Sequence, residues 1–244
     1  KAQDYEEEGV WPELRRAEAN RVAYKLKKAL EDTEAFGAVR VTPDDSATGD
    51  LYVLGRIIES NGENVEIKIN VVDISGKQWF TRSFEHKVEP QYYKNIRNKG
   101  KDPYDPVFAE ASNRVALELE KYKTKQLITL TQIADIRFGA SFSSAAFSEH
   151  YTQENGSVKL ISFPSEDDPM LRRTRSIRVR DQLFVDGLQD EYRSFSDNME
   201  SSYLIWQEQS LLEIRAKKDA QLKAAGEAVM GIAALALAVA AVAA

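Results

Sequence analysis

Residues 170–244 contain no proline and only three glycines, Gly187, Gly226 and Gly231. Proline costs about 3 kcal/mol and glycine about 1 kcal/mol in a helix interior, so a stretch this free of both reads as helix. Its start is marked by SEDDP (165–169), where acidic side chains meet the positive helix end and Pro169 occupies the first turn. Phe184, Leu188, Tyr192, Phe195, Met199, Tyr203 and Trp206 then recur at spacings of three and four, a stripe that needs a partner helix or sheet. One unbroken helix would be about 110 Å long, too long to stay wrapped around a small domain. A bend is expected in SFSDNMESS (194–202), where Ser, Asp and Asn compete for backbone hydrogen bonds, giving two helices or one broken one.

The last 17 residues, AVMGIAALALAVAAVAA, carry no charged or polar side chain. As a helix they span about 25 Å, slightly under the ~30 Å hydrocarbon core of a bilayer. Alanine is too weakly apolar to insert well alone, and its density favours close helix–helix approach inside a membrane. The membrane-facing candidates are Val229, Met230, Ile232, Leu235, Leu237, Val239 and Val242. A buried helix in a water-soluble oligomer, or one packed on its own domain, is the alternative.

The preceding chain reads as a helix–sheet sandwich. Pro12 opens a helix with Ala19, Val22, Leu26, Ala29 and Leu30 at helical spacing, ending near Gly37. A short strand is expected at 38–41, followed by the turn-rich TPDDSATGD. Residues 51–59 are β-rich, and Asn61-Gly62 signals a tight hairpin. Val65, Ile67, Ile69 and Val71 alternate with Glu66, Lys68 and Asn70, and Ser75-Gly76-Lys77 leads to a third strand with Trp79 and Phe84. After Pro106, a second helix carries Phe108, Ala111, Val115, Leu119 and Tyr122. Another helix is expected over 125–134, a less regular stretch over 138–147, and a short strand over 158–163 on the sheet edge. The fold class is α+β: a small helix–sheet sandwich followed by long carboxy-terminal helices. Its parts are an α/β module (1–125), a connecting helix and short strand (126–168), a long helical region (169–227) and the Ala-rich helix (228–244).

The segment DLYVLGRIIESNGENVEIKINVVDISGKQWFTRSFEH, with Gly55, Asp73, Gly76 and Trp79 in place, resembles the hairpin core of the TolB amino-terminal-like fold. That fold is shared in outline by the curli-secretion-channel family and by some envelope lipoproteins. The resemblance covers about residues 12–125. It implies a periplasmic, outer-membrane-associated, often lipid-anchored and ring-forming protein without catalysis. The chain departs from it in having no cysteine and a long carboxy-terminal half. The expected partners are copies of itself, membrane lipid and other envelope proteins, with no cofactor. The alternative is a periplasmic binding or regulatory module that activates a cell-wall or secretion enzyme.

Candidate chemistry is sparse. The net charge of −6 argues against a general nucleic-acid binder, and zero cysteine excludes disulfides, thiolate metal sites and a cysteine nucleophile. The densest charge feature is LRRTRSIRVRD, holding Arg172, Arg173, Arg175, Arg178 and Arg180. On a helix these form no single stripe; a strand with Ile177 and Val179 inward is the rival reading. They pair with Glu166, Asp167, Asp168, Asp181 or Asp186, or solvate a face, and the functional alternative is an anion such as a phosphate, lipid headgroup or glycan acid. His86 and His150 lack metal-ligand spacing, and Asp44 and Asp45 read as loop caps. Trp11, Trp79 and Trp206 read as core or interface anchors. No phosphate loop, dinucleotide fingerprint or nucleophile elbow is present, so no catalytic residue and no metal ligand is assigned.

Overall fold

A computed structural model describes residues 12–43 and 49–242, with side chains described as far as 225. Helix α1 (Pro12–Asp32) is followed by an extended strap and then by strands β1 (Leu51–Ser60), β2 (Asn64–Asp73) and β3 (Gln78–Lys87). These strands form an antiparallel meander in the order β1-β2-β3. Helix α2 (Asp105–Leu119), α3 (Thr124–Phe142) and a single turn α4 (Ser144–Phe147) come next. A separate hairpin, β4 (Tyr151–Glu154) and β5 (Ser157–Leu160), precedes α5 (Pro169–Val242). The chain is α+β, as its patterning indicates.

Alternation in β2 works as the sequence requires: Val65, Ile67, Ile69 and Val71 are buried while Lys68 faces solvent. Phe84 of β3 and Val107, Phe108, Ala111 and Val115 of α2 complete this core with Leu26 and Leu30 of α1. At the hairpin tip Gly62 alone takes a positive φ, +88°, while the Asn61 side chain accepts the N–H groups of Glu63 and Asn64. A smaller cluster, with Ile74, Leu130, Ile133, Ala134 and Val158, seats α3 and the second hairpin at the opposite end of the sheet.

Four local expectations are corrected. Residues 38–41 form no strand: the Val41 N–H and carbonyl bond to Gln189 of α5 instead of to the sheet, and Ala38, Val39 and Arg40 make no backbone–backbone hydrogen bond among the described residues. The 158–163 strand pairs with β4 in its own hairpin and does not extend the main sheet. The irregular stretch after residue 134 is the continuation of α3 to Phe142, with Phe138 and Gly139 buried. The arginine-rich segment is helical from Pro169, capped by Asp168, whose carboxylate accepts the Leu171 N–H at 2.9 Å, so the strand reading fails.

Helix α5 is also unbroken through 194–202. There Ser196 is buried and Glu200 pairs with Arg21 of α1, so packing against the body overrides the weak local propensity. Leu171, Val185, Tyr203 and Leu211 seal the helix along the body, and Tyr203 and Leu211 belong to the same core as the sheet. The last side chain of α5 with a described partner in the body is Lys218, bonded to Glu63. The helix then leaves the body, and residues 216–225 are all exposed.

The sheet meets α5 closely at Gly62, where an added Cβ would fall 2.7 Å from the Gln207 carbonyl oxygen and from Ser210 Cβ. Gly62→Ala is therefore expected to lose about 2 kcal/mol of stability, from the positive φ and the enforced shift of α5, read as a lowered midpoint in urea.

Candidate functional site

Two features stand out: a buried polar seam between α1 and α5, and a groove along the free edge of β1. The seam begins with residues that a helical wheel places beside the apolar stripe of α1. Glu18, Arg21 and Lys25, at i, i+3 and i+7, form a second inward face. Arg21, with no exposed side-chain surface, lies 2.7 Å from Asp102 Oδ2 and 2.5 Å from Glu200 Oε2. Its guanidinium carbon sits 4.2 Å from the centre of the Tyr203 ring, a cation–π contact across the helix interface. Lys25 joins Glu200 at 3.2 Å and Asp102 at 3.5 Å.

Asp102 Oδ1 also accepts the Tyr104 N–H at 2.9 Å and the Gln207 amide at 3.1 Å. Burial alone would raise the pKa of Asp102, but Arg21, Lys25 and these donors outweigh it and hold it below the usual carboxylate range. Burial would likewise lower the pKa of Arg21; Asp102 and Glu200 reverse this and keep it firmly charged. Next along α1, Glu18 accepts hydrogen bonds from Ser60 and Tyr203 and pairs with Arg15 at 2.5 Å. Desolvation drives the Tyr203 hydroxyl well above its ordinary pKa, so it acts as a donor. The seam is lined by the protein's own groups, which makes it a clamp, while Arg21 Nε and Nη1 and Gln207 Oε1 are buried without a hydrogen-bond partner among the described residues.

The groove encloses about 1480 Å³ and runs between α1, β1, α3, α5 and the strap 35–43. Helix α2 covers β2 and β3, whereas α1 touches β1 sparsely, leaving space over the first strand. Gly55 deepens it. This residue sits opposite Ile69 on the helix-facing side, and a Cβ built there meets nothing within 4 Å. Val22 and Leu26 line one wall, Leu54 and Ile58 the strand edge, and Leu127 and Val185 the far side. Leu54 and Ile58 are 43% and 41% exposed, and no backbone hydrogen bond to the outer edge of β1 is made among the described residues.

The five sequence-predicted arginines divide. Arg175 pairs with Glu166 at 2.5 Å and with Asp135 at 2.8 Å, and Arg178 pairs with Asp135 at 2.7 Å and Asp50 at 3.2 Å. These two fasten the start of α5 to α3 and to the loop before β1, and Arg178 reaches the rim of the groove. Arg172, Arg173 and Arg180 are exposed, Arg173 and Arg180 sharing one face of the helix turned away from Arg175 and Arg178, so no convergent anion site forms from the five. Of the expected acidic partners only Glu166 is used by this group; Asp135 and Asp50, distant in sequence, supply the rest.

His150 Nδ1 bonds to Ser162 Oγ at 2.8 Å, and His86 is half-buried on β3 with its pKa lowered by burial. Trp79 stacks on Tyr122 at 4.3 Å and donates to Asp73, and Trp206 packs against the main core, so both are anchors. Asp44, Asp45 and Trp11 lie outside the described residues, as do the side chains of Val229, Met230, Ile232, Leu235, Leu237, Val239 and Val242. No helix among the described residues is long and apolar enough to cross a membrane. No family model, curated protein or solved structure matches the chain.

Asp102→Asn, which strands Arg21 with reduced compensation in the interior, is expected to cost about 3 kcal/mol in chemical denaturation. Asp102 and Glu63 both have depressed folded-state values, Glu63 because Lys218, Lys87 and Arg215 outweigh its burial. Their stabilisation is complete above the unfolded values near ~4 and is lost as pH falls through the lower folded values. Trp206 fluorescence in an acid titration should report loosening of α5 in that range, with a shallower pH slope in Asp102→Asn. Gly55→Val fills the groove without backbone strain and is expected to raise stability by about 0.5–1 kcal/mol, seen as a higher Tm.

Proposed function

We propose that the chain is a non-catalytic structural component of a bacterial outer-membrane assembly. It oligomerises through its α+β body and α5, and its Ala-rich end lies at or in the membrane. The observation that carries this reading is the departure of α5 from the body. After Lys218 the helix continues to Val242, about 24 residues or roughly 36 Å beyond its last described partner. A helix of that length standing alone in water gains little from propensity, and its last stretch is wholly apolar in sequence. It needs a covering partner, and Ala-rich helices cover one another closely.

The body offers further surface for self-association. Val179, Leu183 and Phe184, near the start of α5, are 55%, 64% and 69% exposed. The envelope setting rests on the likeness of residues 12–125 to the TolB amino-terminal-like hairpin core. A second reading, a periplasmic binding or regulatory module that activates a cell-wall or secretion enzyme, is favoured by the apolar groove beside β1.

Truncation after residue 225 separates these readings. The full chain is expected to fractionate with membranes and to run as a defined oligomer by light scattering in detergent, and the truncated chain should lose membrane association. Unchanged fractionation overturns the role of the tail. A full chain that stays monomeric in detergent overturns the assembly and favours the binding module.

A further inference from the structure

The strap between α1 and β1 has the composition of a strand, FGAVRV, yet it pairs with no strand. Phe36 and Val39 rest on the main core and Val41 is buried, and two side chains of α5 fix its end. Gln189 mimics a neighbouring strand: its Oε1 accepts the Val41 N–H at 2.9 Å while its Nε2 donates to the Val41 carbonyl at 2.9 Å. One turn away, Asp186 takes the Arg40 guanidinium in a two-bond fork at 2.5 and 3.1 Å. Ala38, Val39 and Arg40 make no backbone–backbone hydrogen bond among the described residues.

Across the groove lies the outer edge of β1, ten residues long and free of proline; it has no backbone–backbone partner among the described residues, and its last carbonyl, Ser60, accepts from Arg15 Nη2 at 2.9 Å. Natural sheets protect such edges. The strap is the segment next to β1 in the chain, and sequential strands pair as antiparallel neighbours more often than not. Strap and edge line the same cavity.

We propose that the strap, residues 37–42, is a mobile fourth strand: it docks on the free edge of β1 when α5 releases it and leaves the groove open while α5 holds it. The position of α5 is thereby coupled to access to the groove. This inference stands on the geometry of the strap and is independent of the tail and of the membrane reading.

The chain has no cysteine, so engineered pairs are the only thiols present. Val39→Cys is combined in turn with Val53→Cys, Gly55→Cys and Ile57→Cys, the positions on the helix-facing side of β1. Each pair is oxidised in the otherwise unchanged chain, in Asp186→Ala, and in the double variant that also carries Gln189→Ala. Asp186 is half-exposed, so its replacement keeps the fold and the series stays readable even if the double variant unfolds. The expected result is an intramolecular cross-link in at least one pair, with a yield that rises several-fold from the unchanged chain to Asp186→Ala. No cross-link in any pair, or a yield indifferent to Asp186, overturns the proposal. Cross-links only between two chains also overturn it, and assign the edge to a second copy.

Discussion

The arrangement depends on one buried interaction, the Arg21 guanidinium held between Asp102 and Glu200 under the ring of Tyr203. Removing a guanidinium and a carboxylate from water costs several kcal/mol each, and their attraction offsets this only where geometry and hydrogen bonding are good. Here the compensation comes from four places: α1, the segment before α2, the helix start at Tyr104, and α5. No one of these elements can leave without stranding a charge. The pair therefore adds little net stability while making any other docking of α5 costly.

That distinction matters for a helix as long as α5. Its buried positions, Leu171, Thr174, Val185, Ser196, Tyr203, Gln207 and Leu211, are sparse and half polar. Such a seam gives weak preference between one helical register and the next by hydrophobic burial alone. Arg175 and Arg178 at one end, the Arg21 cluster in the middle and Lys218 at the other end are directional contacts that fit only one register. They also align the exposed turns of α5 at residues 216–225, past the body.

The same helix governs the edge of the sheet. A ten-residue edge strand is an invitation to pairing, and in this molecule the segment best placed to cover it is retained by Gln189 and Asp186. The open groove exists because α5 offers the strap an alternative set of hydrogen bonds, and because Gly55 supplies no side chain to fill the space beneath.

Hydrophobic period and turn chemistry were enough to read the meander, the two sandwich helices and the start of α5. Val65 to Val71 alternate whatever surrounds them, Gly62 and Gly76 take the positive φ their turns demand, and Asp168-Pro169 caps a helix locally. Each is a short-range consequence of backbone sterics or of one apolar face. The polar seam left only a faint trace, three charges at i, i+3 and i+7 beside an apolar stripe, because charged spacing looks the same on a solvated face as on a buried one. Tertiary structure alone decided that Arg21 meets Asp102 and Glu200, that Arg178 meets Asp135, and that residues 38–41 bond to a helix and not to a strand. Those choices join groups up to 179 residues apart, and no local propensity encodes which distant partner will satisfy a buried donor or charge.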